Sequence, residues 1–331
     1  MEGRENRVLV VGAGAAGQVY GLHLRRGGAR VNFLVKPSHA AWCQRGFELH
    51  RLRSRRATET ERMDDVEVLT DAAAAASLGW DEVWLTVASD ALRGDWLGSF
   101  LEKLGDATVV ALQPDLDDRA LLLRRLPEAR LVQGLIGFLA FQSPLPAAPL
   151  PVARLPAARE TPPEIAYTLL PPFASHFSGV EARVQPILRI LAAGGFRARV
   201  VRDVPATSAV RSAASVPVVA ALETADWSLA RLRHGSELAL GLRAAREAQG
   251  VVGVRFGRSP SPLTFLLRPQ PVSLGLRMAA RAVPFDLESF LRFHFTKVGP
   301  QTRLMLDTWC AHADAAGLPS AALSELRKAL A

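Results

Sequence analysis

Short apolar runs rich in β-branched residues recur through the first 140 positions, each followed by an alanine- and leucine-rich stretch. The runs predict strands at Val8–Val11, Val31–Val35, Val66–Leu69, Glu82–Val87 and Thr108–Leu112. Segments such as Ala15–Arg26 and Ala88–Leu104 are long enough to cross over between them as helices. Strands that are apolar along their whole length, alternating with helices, imply a parallel sheet covered on both faces. Nine of the 22 prolines fall within 144–172 and interrupt strand and helix alike, so about 142–172 reads as an extended excursion. A helix over Gln185–Leu191 and a strand over Phe196–Val201 then close this region. Beyond Asp203 the helical period takes over, at Ser208–Arg233 with an interruption near Pro217, at Asp286–Ala316 and at Ser320–Leu330, with Leu318-Pro319-Ser320 as the cap between the last two. The expected fold class is α/β: a Rossmann-type parallel-sheet domain over 1–202, followed by an all-helical domain over 203–331.

The chain has 331 residues, 49% hydrophobic and 22% charged, more than one core usually organises. It holds no stretch of about 18 uninterrupted apolar residues, and its first residues lack the basic-then-apolar order of a signal peptide, so the expectation is a cytoplasmic protein without a membrane partner. Cys43 and Cys310 cannot build a disulfide framework and lack the neighbours of a structural zinc site; both read as buried small hydrophobes, and no metal is expected. The net charge of +8 comes from 40 basic residues of which only Lys36, Lys103, Lys297 and Lys328 are lysine; scattered arginine argues against a nucleic-acid footprint. The densest run, Arg51, Arg53, Arg55 and Arg56, reads as a solvated face or a phosphate contact. The chain has two asparagines, Asn6 and Asn32.

The sharpest local signal is VLVVGAGAAG at 8–17, a buried strand running through Gly12, Gly14 and Gly17 into an apolar-periodic helix. In that setting G-x-G-x-x-G points to a dinucleotide. Gly12 permits the turn, Gly14 lets backbone approach a pyrophosphate, and Gly17 lets helix pack on strand, while the amides around Ala15 and Ala16 face the phosphates. An acid about 20 residues on would select NAD through its ribose 2′-hydroxyl. Here Lys36 stands there, in VNFLVKPSHA, and no Asp or Glu occurs between Glu5 and Glu48, which favours NADP(H).

These residues resemble the ketopantoate reductase (2-dehydropantoate 2-reductase) family. The match runs through 8–37, RGFEL at 45–49, DEVWLTVASDAL at 81–92, VVALQPDLDD at 109–118 and AGGFRARVVRDV at 193–204, and more weakly through the helical remainder to HADAAGLPS at 312–320. The resemblance implies NADPH in a cleft between a Rossmann and a helical domain, contacts from Val87, Ser89 and Gln113, reduction of the ketone of a 2-oxo acid, and a homodimer. It also implies a nicotinamide-side asparagine where this chain has Pro114, and a proton-donating lysine where it has Arg211. No lysine lies between Lys103 and Lys297 and no asparagine after Asn32, so the family's donor and asparagines are missing whatever the alignment. Arginine can hold a carboxylate but is a poor acid.

Both losses argue against ketopantoate as substrate. Either other residues rebuild the reduction on a different carbonyl or imine, or the fold serves as a non-redox enzyme or nucleotide-binding module. Replacement chemistry is sought in DLESFLRFHFTKVGPQTRLM at 286–305: on a helix, His294, Lys297 and Gln301 fall within roughly 60° of one another, beside Leu287 and Phe290. Lys297 or His294 is the candidate donor, with burial lowering the lysine's pKa, and Gln301 is the candidate to orient the small-molecule substrate, while the resemblance implies a substrate-binding serine roughly at Ser289. The alternatives are a Lys297 that caps the helix and a His294 satisfied in the core. His176, in PPFASHFSG at 171–179, is a further candidate for facing substrate, or an ordinary loop histidine.

Overall fold

The computed structural model describes residues 5–144, 164–169, 173–258 and 266–331. The chain forms two compact units, 1–113 with 118–204, and 114–117 with 205–331. None of the helices among the described residues is long and apolar enough to cross a membrane.

The first unit is built on a mixed eight-stranded sheet. In chain order its strands are β1 (Arg7–Val11), β2 (Arg30–Leu34), β5 (Glu67–Leu69), β6 (Glu82–Leu85), β7 (Thr108–Ala111), β8 (Leu131–Leu135), β11 (Ser175–Ser178) and β12 (Ala198–Val200), arranged β12-β11-β8-β7-β6-β1-β2-β5. All neighbours are parallel except β11 with β8. Pleating sends alternate side chains to opposite faces. Val8, Val10, Phe33, Trp84 and Val110 therefore join one core, with α1 (Ala15–Arg26) and α6 (Glu181–Ala193) packed on it. Leu9, Val11, Leu34, Val83, Leu85 and Val109 join the other, closed by α3 (Ala72–Ala76), α4 (Trp96–Lys103) and α5 (Asp118–Leu123). Burial on both sides is why these strands carry no polar alternation.

Four segments depart from the sequence pattern. Residues 88–104 form a 3₁₀ turn over Ser89–Arg93 and then α4, rather than one helix; Arg93 donates back to the Ser89 carbonyl at 2.6 Å and Gly94 breaks the run. The arginine-rich stretch belongs to a hairpin, β3 (Phe47–Ser54) and β4 (Ala57–Met63), in a second sheet ordered β4-β3-β10-β9. Its remaining strands, β9 (Leu139–Ser143) and β10 (Glu164–Thr168), flank the proline-rich excursion; residues 145–163 and 170–172 of it lie outside the described residues. Phe47, Leu49, Ile165 and Tyr167 of this small sheet enter the first core, which is what orders segments that look charged or interrupted in sequence. His176, finally, sits inside β11 and not on a loop, because Phe177 beside it packs into the core against Trp84, ring centroids 5.8 Å apart.

The second unit holds α7 (Val204–Thr224), α8 (Leu229–His234), α9 (Ser236–Arg255), α10 (Pro269–Ala282), α11 (Leu287–Lys297), α12 (Gly299–Ala315) and α13 (Ala321–Ala329). α7 continues through Pro217 although proline removes one helical bond. Buried Ala213, Ala220 and Ala221 hold it, and a Cβ on Gly241 of α9 would stand 2.9 Å from the Pro217 carbonyl. The interruption falls later, at Asp226 and Trp227, both with positive φ, before Ser228 caps α8. Leu116 lies in this unit's core, and Asp117 pairs with His312 at 2.9 Å. Cys43 is buried as expected, whereas Cys310 is half-buried, 3.7 Å from the Ser324 hydroxyl.

His23, on α1, is fully buried. The Gly194 carbonyl 2.8 Å from Nδ1 can only accept, so that nitrogen carries the proton, and Nε2 faces the Tyr167 hydroxyl at 3.5 Å. Burial, opposed by the bond to Gly194, pushes its pKa down to about 4. An unfolded histidine takes up its proton near pH 6.5 and the folded one near 4. Stability from this residue is thus complete above about pH 6.5 and falls as pH drops toward 4, by at most about 3 kcal/mol. Urea unfolding between pH 4 and 7 should show a shallower acid loss for His23→Gln than for the parent; equal slopes would refute this account.

Candidate functional site

β1 has β2 on one side and β6 on the other, so successive strands run outward in both directions from its carboxyl end, the position where open parallel sheets leave a crevice. The glycine loop lies there. Gly12 turns at φ +99° and its N–H donates to the Leu34 carbonyl at 2.9 Å, tying the loop to β2. The Thr86 hydroxyl, at the end of β6, lies 2.9 Å from the Val11 carbonyl and 2.8 Å from that of Gly12, to which it donates. A Cβ on Gly17 would come within 2.2 Å of the Gly12 carbonyl and 2.7 Å of the Thr86 hydroxyl, so glycine at 17 is demanded by the packing of α1 on this loop.

Gly14 is different in kind. It caps α1 in extended conformation, φ −74°, and an added Cβ would meet nothing within 4 Å. No protein contact requires glycine there, which fits a surface kept low for a ligand. The first helical bond runs from the Gln18 N–H to the Gly14 carbonyl at 2.9 Å, leaving the amides of Ala15, Ala16 and Gly17 ahead of it. No side chain caps this end and no acid stands in the first turn, so amide donors and the helix dipole favour an anion. The Gln18 amide donates to the Ala13 carbonyl at 2.9 Å and stiffens the loop from behind.

The other candidates in this unit divide. Val87 borders the loop, its Cγ1 3.0 Å from where a Cβ on Gly12 would stand. Lys36 is exposed just beyond β2, at the cap of α2 (Pro37–Cys43). On the neighbouring strand β5 the acid is Glu67, which pairs with Arg30 and Asn32; beyond the end of that strand Asp71 accepts from Ala73 and Ala74 at 2.8 and 3.1 Å and caps α3. Gln113 is turned inward: its amide donates to the Leu85 and Val87 carbonyls at 2.8 and 2.7 Å, and its oxygen accepts from the Leu112 N–H at 3.1 Å. It braces the ends of β6 and β7. Ser89 is likewise buried and donates to Asp118 at 2.7 Å, in a network that includes the Arg93–Asp118 ion pair. Both shape the loop after β6 through bonds within the protein. His176 is buried in the sheet, and its Nε2 accepts from Arg199 at 2.8 Å. Asn32 donates to Glu67 and Asn6 to Glu82 at 3.0 Å, so both asparagines serve the scaffold.

In the second unit His294, Lys297 and Ser289 share α11, and Gln301 lies in the first turn of α12. His294 stacks on Phe290, centroids 5.5 Å apart, and meets the edge of Phe295 at 4.9 Å. Burial first, and the Lys297 charge second, push its pKa down to about 4, so it is neutral near pH 7 and can donate only as a weakly acidic N–H. Lys297 is exposed, so the burial expected to tune it is not found. The Ser289 N–H donates to Asp286 at 2.7 Å, capping α11. Arg211 is exposed on α7, and its carbonyl accepts from Ser215 at 2.9 Å. Sequence reading passed over Thr86 and Gln18; Thr86 stood in the matched segment 81–92, but nothing in one dimension shows that its strand adjoins the glycine loop.

Residues 8–144 match the family model of ketopantoate reductase PanE/ApbA. No curated protein matches the sequence. The fold is similar to that of 2-dehydropantoate 2-reductase from Geobacter metallireducens GS-15, with a TM-score of 0.73 at 15% identity over 98% of both chains. It is also similar to a PanE/ApbA family ketopantoate reductase from Ralstonia eutropha JMP134, with 0.72 at 18% over 98% of this chain and 97% of that one. D-mandelate dehydrogenase, solved with NADH and anilino(oxo)acetate, gives 0.70 at 12% over 98% and 96%. The chain therefore resembles the ketopantoate reductases in sequence over its first part and in fold over nearly all its length.

The two glycines predict opposite phenotypes. Gly17→Ala should lower the unfolding free energy by about 1–3 kcal/mol through overpacking, while Gly14→Ala should leave thermal stability within about 0.5 kcal/mol of the parent. Equal melting temperatures for parent and Gly17→Ala would refute the packing argument.

Proposed function

We propose that this chain is an NADP(H)-dependent reductase of the ketopantoate reductase family, acting on a carbonyl or imine substrate other than ketopantoate. The observation that carries the reading is the glycine loop at the carboxyl edge of the sheet, with Gly14 open to a ligand and Thr86 and Gly17 holding the helix N-terminus in place. Lys36 beyond β2, with Glu67 of the adjoining strand paired to Arg30 and Asn32 and Asp71 after that strand committed to a helix cap, favours a 2′-phosphorylated ribose. When bound, the nicotinamide would supply hydride. Ala15, Ala16 and Gly17 would hold its pyrophosphate, and Lys36 would pair with the 2′-phosphate. Arg211 is assigned to an anionic group of the substrate. Lys297 is the better proton donor of the two on α11, since His294 is neutral near pH 7, with Ser289 and Gln301 assigned to orientation. A cytoplasmic homodimer belongs to the same reading, testable by light scattering.

A second reading, a fold that binds nucleotide or performs acid–base chemistry without reduction, draws on the exposure of Lys297 and on the lack of any lysine between Lys103 and Lys297. Titration of intrinsic fluorescence decides the cofactor: NADPH should bind about tenfold or more tightly than NADH, a preference that Lys36→Ala should erase. A preference for NADH would overturn the NADP(H) assignment. Incubation with deuterated NADPH and a panel of 2-oxo acids, ketones and imines then tests turnover. Stereospecific label transfer that falls steeply in Lys297→Ala supports the reductase, whereas binding without oxidation of the cofactor by any member supports the second reading.

A further inference from the structure

The small sheet carries a constellation that the nucleotide site does not use. Glu48 and His50 are two residues apart on β3 and so project from one face, opposite the core face of Phe47 and Leu49. β10 runs parallel beside β3, with Ile165 opposite Leu49, which places Glu164 next to Glu48 on that same face. His50 Nε2 lies 3.0 Å from a Glu164 carboxylate oxygen and 3.8 Å from one of Glu48, and one ligand atom from each residue falls within 4.8 Å of the others.

The imidazole is oriented from behind. Thr60 of β4, the cross-strand partner of His50, brings its hydroxyl to 2.9 Å from Nδ1. The Glu164 carboxylate can only accept, so without an ion Nε2–H donates to it and the Thr60 hydroxyl donates to Nδ1; an ion that displaces the Nε2 proton leaves Nδ1–H to donate to the same hydroxyl. The arginine on that face does not fill the role: Arg62, opposite Glu48, directs its guanidinium to Asp64 at 2.5 Å and to the Arg45 carbonyl at 3.2 Å.

Zinc-class ions take imidazole nitrogen and carboxylate oxygen at about 2.0–2.2 Å, so ligand atoms around a tetrahedral ion stand roughly 3.3–3.6 Å apart. The observed 3.0 and 3.8 Å separations bracket that spacing. The side chains are 38%, 17% and 50% exposed for Glu48, His50 and Glu164, which leaves a fourth position open to water. We propose that Glu48, His50 and Glu164 form a binding site for a divalent transition-metal ion of the zinc class. Bound there, the ion would clamp β3 to β10. With the ion bound, the Thr60 hydroxyl would accept from Nδ1–H and hold the imidazole in its ligating tautomer, as outer-shell partners of ligating histidines do.

Calorimetric titration of the full chain with ZnCl₂, paralleled by CoCl₂ titration read through its d–d absorption, tests the site. One ion per chain is expected, with cobalt bands of low-symmetry nitrogen–oxygen coordination. His50→Ala and Glu164→Gln should lose saturable binding, and Thr60→Val should weaken it by about tenfold. Glu164→Gln alters only an exposed carboxylate, so circular dichroism should confirm an intact fold. Absence of saturable binding to the parent chain, or binding by Glu164→Gln and His50→Ala at parental affinity, would overturn the proposal.

Discussion

The close approach of helix α1 to the loop after β1 is the contact on which the rest of the first unit depends. At Gly17 no Cβ fits, because the Gly12 carbonyl and the Thr86 hydroxyl occupy its place. That fit sets the distance between helix and sheet, aims the first-turn amides outward, and lets Thr86 lock β6 against β1. A helix standing even a methyl group farther away would leave a void in a core where Val10, Val19 and Tyr20 are fully buried.

Around this contact, several polar groups that look suited to a ligand are instead satisfied within the protein. Gln113 joins the ends of two strands and Ser89 joins the following turn to Asp118. Buried amides and hydroxyls must find partners, and here the partners are carbonyls and a carboxylate of the scaffold. They hold the edge against which Val87 and Gly12 meet.

The helical unit presents chemistry of another kind. Its candidate polar groups gather on α11 and the start of α12, and the environment separates them: His294 is stacked and held neutral, while Lys297 is exposed. The family likeness supports the fold more firmly than the reaction, since the solved relatives share the fold at identities of 12–18%.

The five parallel strands predicted in the first 112 residues, the glycine turn and the change to helices after 203 were legible in sequence because each rests on local periodicity or on backbone freedom at single glycines. The β3–β4 hairpin was hidden by its charges, and β9, β10 and β11 by the prolines around them; their apolar residues are few and are ordered only by the core they enter. The candidate site residues divided in the same way. Gly12, Gly14 and Gly17 announced themselves through spacing, but the inward turn of Gln113, the part played by Thr86, the neutrality of His294 and the meeting of His50 with Glu164 all depend on strands and rings brought together across long sequence separations. One-dimensional pattern determined which segments could form the sheet and where its tight turn must fall. Tertiary packing decided which polar groups were left over for chemistry, because only packing determines which of them find a partner inside the protein.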